Sequence, residues 1–193
     1  MNKEEFQFKN KKILIYGFGI SGKACFKHLN RNNNTFIYDD NLKLTTNKYK
    51  TKILNQKKIS QHNFNYIVVS PGIDLKKYLL NKYLKKNKKK IISELDVFYL
   101  ENKKNLKITI TGTNGKSTTS KLLYEIIKNH KRDVRLVGNI GNPILLEKRV
   151  NPKTIFVIEA SSYQIEYSKY FKTDIAAILN ISPDHLERHG NIK

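Results

Sequence analysis

Apolar runs and breaker residues alternate along this chain at regular intervals. Residues 11–19, "KKILIYGFG", form a continuous apolar run that stops at glycines, the pattern of a strand buried on both faces. "ISGKACFKHLNRN" (20–32) follows with helical spacing, its Ala24 and Leu29 sharing a side with aliphatic and aromatic neighbours. "NTFIYDD" (34–40) predicts a second strand, and "NYIVVSPGI" (65–73) a third, stopped by Ser-Pro-Gly. "KKIISEL" (89–95) predicts a short strand leading into a helix near 94–102. The polar stretch "ENKKNLK" (101–107) then separates two copies of the same grammar. Beyond it come a strand at 107–111, a helix at 116–130 and strands at 133–137, 154–160 and 174–180. In that helix Leu122, Leu123, Ile126 and Ile127 recur at helical spacing. Strands alternating with helices predict an α/β class built on parallel sheets with crossover helices. The boundary is placed near 104, giving a Rossmann-like unit over 1–104 and a P-loop-type α/β unit over 105–193.

Composition changes this picture little. With 193 residues and 39% hydrophobic content the chain can build a core, as one large domain or two small ones. No apolar run is long enough to cross a bilayer, and the start "MNKEEFQFKNKK" has no apolar centre of the kind a secretory signal needs. The single Cys25 cannot form an internal disulfide, which suits a reducing cytoplasm; as a free cysteine in a helix it is expected to be a small buried residue.

The net charge of +21 raises nucleic-acid binding as a function. The basic residues are nearly all lysines, however. The arginines, whose fork reads bases, are Arg31, Arg132, Arg135, Arg149 and Arg188. Lysine is spread along the chain and mixed with asparagine, as in "NKYLKKNKKK" (81–90), and no aromatic-basic RNA motif is present. The pattern fits biased codon usage better than a designed groove.

Two glycine loops carry candidate chemistry. "GFGISG" (17–22) is a full G-x-G-x-x-G between a strand and a helix. Gly17 permits a tight turn, Gly19 lets backbone approach a diphosphate, and Gly22 lets the helix lie close to the strand. The helix start presents N–H groups to an anion. Asp39, about 20 residues on, stands where an acid accepts hydrogen bonds from ribose hydroxyls. These features point to a nucleotide diphosphate and leave NAD and a UDP-sugar both open. The turn Ser70-Pro71-Gly72 ends another parallel strand at the edge where such sheets bind ligands.

The second loop, "TGTNGKST" (111–118), has only two residues between Gly112 and Gly115, shorter than the common phosphate loop. Its amides can surround phosphate oxygens, Lys116 supplies a point charge and Ser117 can reach Mg²⁺. The apolar strand ending at Glu159 offers a metal ligand, and "DIAAILNISPDHLERH" (174–189) brings His185 to the same edge.

The short form Gly112-Thr113-Asn114-Gly115-Lys116-Ser117-Thr118 resembles the phosphate loop of the Mur ligases, ATP-dependent amide-forming enzymes of peptidoglycan precursor synthesis. "GFGISGKA", "SPGI", "GNIG" (138–141), "EASSYQIE" (159–166) and "NISPDHLERH" (180–189) resemble the D-glutamate-adding member of that family, across both halves and in order.

The resemblance implies a cytoplasmic ligase acting in two steps. The alanyl carboxylate of UDP-N-acetylmuramoyl-L-alanine takes the γ-phosphoryl of ATP, and the amine of D-glutamate displaces phosphate from the acyl phosphate. It implies that Lys116 and the loop amides hold the β- and γ-phosphates. Ser117 and Glu159 would hold one Mg²⁺, and His185 would help hold a second. Asn139 and Ser161 would contact the UDP-sugar. Its diphosphate would lie on Gly19, Ser21 and Gly22, with Asp39 and Ser70-Pro71-Gly72 nearby. Family members run further, to a carbamylated lysine, adenine-holding residues and a third domain. With the chain ending at Lys193, inside the central domain as the resemblance frames it, these residues alone are not expected to catalyse ligation.

The rivals are another Mur-type amide ligase, a folylpolyglutamate synthase, an NAD-dependent oxidoreductase and a nucleic-acid-binding protein. An oxidoreductase leaves the second loop, Glu159 and His185 unexplained, and the folate enzyme leaves the N-terminal nucleotide unit and "SSYQ" unexplained.

Overall fold

The computed structural model describes residues 8–41, 47–75 and 80–190; the polar start at 1–7 and the last three residues lie outside the described residues. The first half runs β1 (Lys12–Tyr16), α1 (Ile20–Leu29), β2 (Asn34–Tyr38), α2 (Gln56–Ser60), β3 (Tyr66–Val69), α3 (Asn81–Lys86), β4 (Ile91–Ile92) and α4 (Glu94–Glu101). The second runs β5 (Leu106–Thr111), α5 (Lys116–Asn129), β6 (Val134–Gly138), β7 (Ile155–Glu159), α6 (Ser162–Glu166), β8 (Ile175–Ile178) and α7 (Leu186–His189). Both sheets are parallel and four-stranded, ordered β2-β1-β3-β4 and β6-β7-β5-β8. The α/β class expected from the alternating runs is the one observed.

Alternation along β1 sorts its side chains between two cores, as the two-residue period of a strand requires. Ile13 and Ile15 join one cluster with Cys25, Leu29, Ile37 and Val68. Leu14 and Tyr16 join another with Leu54, Ile59, Phe64 and Ile67. Cys25 is buried in α1, as expected for a free cysteine there.

The first of these clusters continues into the second sheet. Phe98 of α4 meets Phe156 of β7 edge to face, with centroids 4.7 Å apart, and Ile158 and Ala160 lie in the same cluster. Polar groups fasten the same seam. Fully buried Asp96 accepts hydrogen bonds from the N–H groups of Lys169 (2.9 Å), Tyr170 (2.7 Å) and Phe171 (2.9 Å), and from that of Ser93 (2.9 Å). Ser93 caps α4 in a reciprocal capping box with Asp96. The cap fixes where α4 begins, close to the helix expected near 94–102, and the short strand expected to lead into it is Ile91–Ile92.

Buried Lys107 closes the junction. Its Nζ donates to the carbonyls of Asn102 and Lys103 at 3.3 Å each and to that of Asn105, and lies 3.4 Å from Asp174. The second sheet is covered less evenly. α5 packs on β5, β6 and β7, yet Leu122 is 61% exposed, and on the edge strand β8 Ile178 is 65% exposed.

Candidate functional site

The loop after β1 and the turn after β3 meet where the first sheet reverses its winding, the crevice in which open α/β sheets take ligands. Gly17 has φ +90°, and a Cβ there would lie 2.8 Å from that of Ser70. A Cβ on Gly22 would stand 1.9 Å from the Gly17 carbonyl oxygen, so α1 reaches the strand only because that carbon is missing. At Gly19 nothing lies within 4 Å of the added carbon, leaving backbone open to an approaching group. The Ser70 hydroxyl donates to the Gly17 carbonyl (2.8 Å), tying turn to loop.

Two residues expected to face the ligand here have internal partners. The carboxylate of Asp39 accepts from the N–H of Phe18 (2.6 Å) and from that of Asn41 (2.8 Å), and the residue is buried. Asp39 therefore braces the glycine loop, since its oxygens already take backbone donors. The Ser21 hydroxyl donates to Glu94 at the start of α4, a residue the sequence pattern did not single out. Burial raises the Glu94 carboxyl from 4.5 to about 7, with the Ser21 hydrogen bond pulling the other way. Its Oε1 is buried without a hydrogen-bond partner. The Cys25 thiol is pushed well up, by burial first and by Glu94 second.

On the second sheet, β5 lies between β7 and β8, so the loop 112–118, Glu159 and the segment after β8 all lie at the C-terminal edge. Gly112 (φ +141°) and Gly115 (φ +82°) take conformations that disfavour side chains. Lys116 Nζ folds back over the loop and donates to the carbonyls of Gly112 (2.6 Å) and Thr113 (2.8 Å). Ser117 and Thr118 form the first turn of the 14-residue α5. Asn180, absent from the expected set, braces the loop from the far side: its Oδ1 accepts from the Asn114 N–H (2.9 Å) and its Nδ2 donates to the Asn114 carbonyl (3.0 Å).

Glu159 ends β7 fully buried. Asn139 Nδ2 donates to its Oε1 (2.9 Å), and its Oε2 is buried with no partner. Asn139, expected on the sugar, thus orients the carboxylate. Ser161 caps α6 in a capping box with Gln164. His185 has a left-handed backbone (φ +51°), its ring tilted against Tyr163 at 4.7 Å and 3.6 Å from Asp184 Oδ2. A cavity of about 540 Å³ brings together Gly112, Thr113, Lys116, Ser161 and His185. Glu159, Ser117 and Asn139 do not line it. Among the described residues, no group of three or more His, Cys, Asp or Glu is gathered to hold a metal. The unpartnered Oε2 of Glu159 fits a single cation near the phosphate loop, whereas His185 sits with its own acidic neighbours.

Residues 110–193 match the Mur ligase middle domain. The UDP-N-acetylmuramoylalanine--D-glutamate ligase of Rickettsia bellii is 37% identical over 190 residues, covering 96% of this chain and 41% of that protein. The enzyme of the same name from Clostridioides difficile is 36% identical over 196 residues, covering 96% and 43%. Among solved structures, the UDP-N-acetylmuramate:L-alanyl-gamma-D-glutamyl-meso-diaminopimelate ligase of Neisseria meningitides superposes with TM-score 0.55 at 14% identity, covering 94% of this chain and 64% of that one, a likeness of fold. The chain spans about two-fifths of the length of the curated relatives it matches.

Proposed function

We propose that this chain is a Mur ligase, on the match of residues 110–193 and the likeness to the named relatives, and that it carries the uridine-nucleotide unit and part of the ATP unit of a UDP-N-acetylmuramoyl-L-alanine:D-glutamate ligase. The observation that carries the ATP half is Glu159, a buried carboxylate with one free oxygen, one strand from a Gly-Lys-Ser loop. The choice of substrates rests on the relatives' names.

In this reading residues 1–104 bind the uridine diphosphate and residues 105–193 the nucleoside triphosphate. The diphosphate lies over Gly19, where the chain leaves space, and takes the first-turn amides of Ser21 and Gly22. Asp39 and the Ser70-Pro71-Gly72 turn hold the loop's shape. Lys116 exchanges its two loop carbonyls for β- and γ-phosphate oxygens and offsets charge as the phosphoryl group moves to the alanyl carboxylate. Amides of residues 112–118 line the same oxygens. Ser117 and Glu159 hold Mg²⁺, with Asn139 fixing the carboxylate; the ion supplies charge neutralisation for phosphoryl transfer. His185 and Ser161, both on the wall of the cavity that holds Lys116, are assigned to the acceptor carboxylate side. The amine of D-glutamate then attacks the acyl carbon, the bond from that carbon to the phosphate oxygen breaks, and inorganic phosphate leaves as the amine gives up a proton.

Calorimetric titration of the chain with Mg·ATP and, separately, with UDP-N-acetylmuramoyl-L-alanine tests the reading. Lys116→Ala is expected to lower ATP affinity at least tenfold, about 1.4 kcal/mol, and to leave the uridine nucleotide unaffected. Binding of neither ligand, or saturable enhancement of NADH fluorescence in place of uridine-nucleotide binding, would overturn it.

A further inference from the structure

Among the described residues, Arg188 is the arginine buried between the two halves. Its side chain is 7% exposed although α7, on which it stands, is a single surface turn. Nη1 donates to the Pro71 carbonyl (2.7 Å), while Nη2 donates to the Ile73 carbonyl (3.0 Å) and to the Tyr167 hydroxyl (2.8 Å). Nε donates to Glu166 Oε2 (2.7 Å). The guanidinium also lies over the rings of Tyr163 (4.4 Å) and Tyr167 (5.2 Å). Tyr167 repeats the link, donating its own hydroxyl hydrogen to the Ile73 carbonyl (2.8 Å).

The ends of this connection are the two sites. Pro71 and Ile73 belong to the turn whose Ser70 hydroxyl holds the Gly17 carbonyl of the first glycine loop. On the other side the Arg188 N–H donates to the His185 carbonyl (3.0 Å), within one turn of the cavity that contains Lys116. Glycine loop, turn and guanidinium are therefore joined by consecutive short hydrogen bonds, and the guanidinium is carried by the backbone turn that begins at His185. Only a planar fork with donors in fixed directions fills this role. A lysine at the same place carries a point charge and three donors on one atom, and cannot span two carbonyls and a carboxylate in one plane.

We infer that Arg188 is a positioning residue that couples the two sites, so that a uridine nucleotide seated on the first loop raises the chain's affinity for Mg·nucleotide on the second. The inference rests on the assignment of the two sites made above. Coupling of this kind is reciprocal and commonly amounts to roughly 5–150-fold in affinity.

The test titrates Mg²⁺ with a non-hydrolysable ATP analogue into the chain, with and without saturating UDP-N-acetylmuramoyl-L-alanine, and then in the reverse order. In the parent chain each ligand is expected to tighten the other by about fivefold or more. Arg188→Lys is expected to bind each ligand alone within about twofold of the parent and to lose the mutual enhancement. Tyr167→Phe, which removes one partner of the guanidinium and the hydroxyl's own bond to Ile73 but leaves the guanidinium on Pro71, Ile73 and Glu166, is expected to retain part of it, and serves as the readout if Arg188→Lys fails to fold by circular dichroism. Equal enhancement in parent and variants, or none in the parent, overturns the coupling while leaving the two sites standing. A chain that binds neither ligand alone overturns the site assignment and the coupling together.

Discussion

Glu94 shows how one side chain can set the pH response of the molecule. Its carboxyl ionises near 4.5 when exposed and near 7 in the fold, because burial disfavours the charge more than the Ser21 hydrogen bond favours it. Between those values the folded chain holds a proton that the unfolded chain has released. Stability from this group is complete below about 4.5, declines as pH rises and is gone above about 7, a change of roughly 3 kcal/mol. Asp133 and Asp174 act in the opposite direction and in a separate window. Their carboxyls are lowered, chiefly by the Thr154 hydroxyl and by the Lys107 N–H respectively, so their contributions are lost as pH falls below the usual carboxylate range. Urea unfolding at pH 5 and pH 8 is therefore expected to show a drop for the parent and a nearly flat response for Glu94→Gln, with the variant the more stable at pH 8. Parallel pH dependences would show that the buried carboxyl is not the cause. None of this was legible in the sequence. Ser21 and Glu94 are 73 positions apart, and Arg188 and Pro71 are 117 apart, so no local pattern announces either pair. For Arg188 a weak signal existed: it is one of five arginines in a chain whose other basic residues are lysines.

At the scale of elements the sequence was more informative, because strand runs and breaker residues are local. The strands on either side of both glycine loops fell where expected to within a few residues, since a buried parallel strand is a short apolar run with glycine or proline at its end. The helix after the second loop was also expected, but its leucine and isoleucine spacing did not reveal that Leu122 and Ile126 are exposed. The turn after β6 carries a further requirement that the string "GNIG" conceals. Gly138 has φ +108°, and a Cβ there would lie 2.2 Å from the Glu159 carbonyl oxygen. That close approach lets the Asn139 N–H bond the same carbonyl (2.9 Å) while its side chain holds the carboxylate. Gly138→Ala is expected to push β6 and β7 apart, destabilise the fold by about 2 kcal/mol, and weaken Mg·ATP binding with no effect on the uridine nucleotide. Thermal unfolding and the two titrations measure these separately. An unchanged ATP affinity would mean that the Asn139–Glu159 pair does not set the metal ligand.

At the scale of the whole molecule, continuity of the core and unevenness of the surface pull in different directions. One apolar cluster runs from Ile13 through Phe98 to Phe156 and Ile158, so the two sheets share a core and are expected to unfold together. Among the described residues the far side of the second sheet has no such cover: β8 pairs with β5 alone and Ile175 is 53% exposed, so this edge offers backbone groups to a second strand. What opposes association is charge: at +21, two copies repel one another, and the repulsion is screened as the Debye length falls from about 30 Å at 0.01 M salt to about 3 Å at 1 M. Self-association of this chain is therefore expected to increase with salt, opposite in sign to the salt dependence of binding to nucleic acid. Sedimentation velocity at low and high salt distinguishes the two, because a complex with residual nucleic acid dissolves under the conditions in which an edge-paired dimer forms. Ile175→Lys places a charge on the exposed edge strand and should keep the chain monomeric at high salt with less than about 0.5 kcal/mol change in stability, as for an ordinary surface substitution. If the variant associates as strongly as the parent, the contact lies elsewhere, and the exposed Leu122 and Ile126 of α5 become the surface to alter.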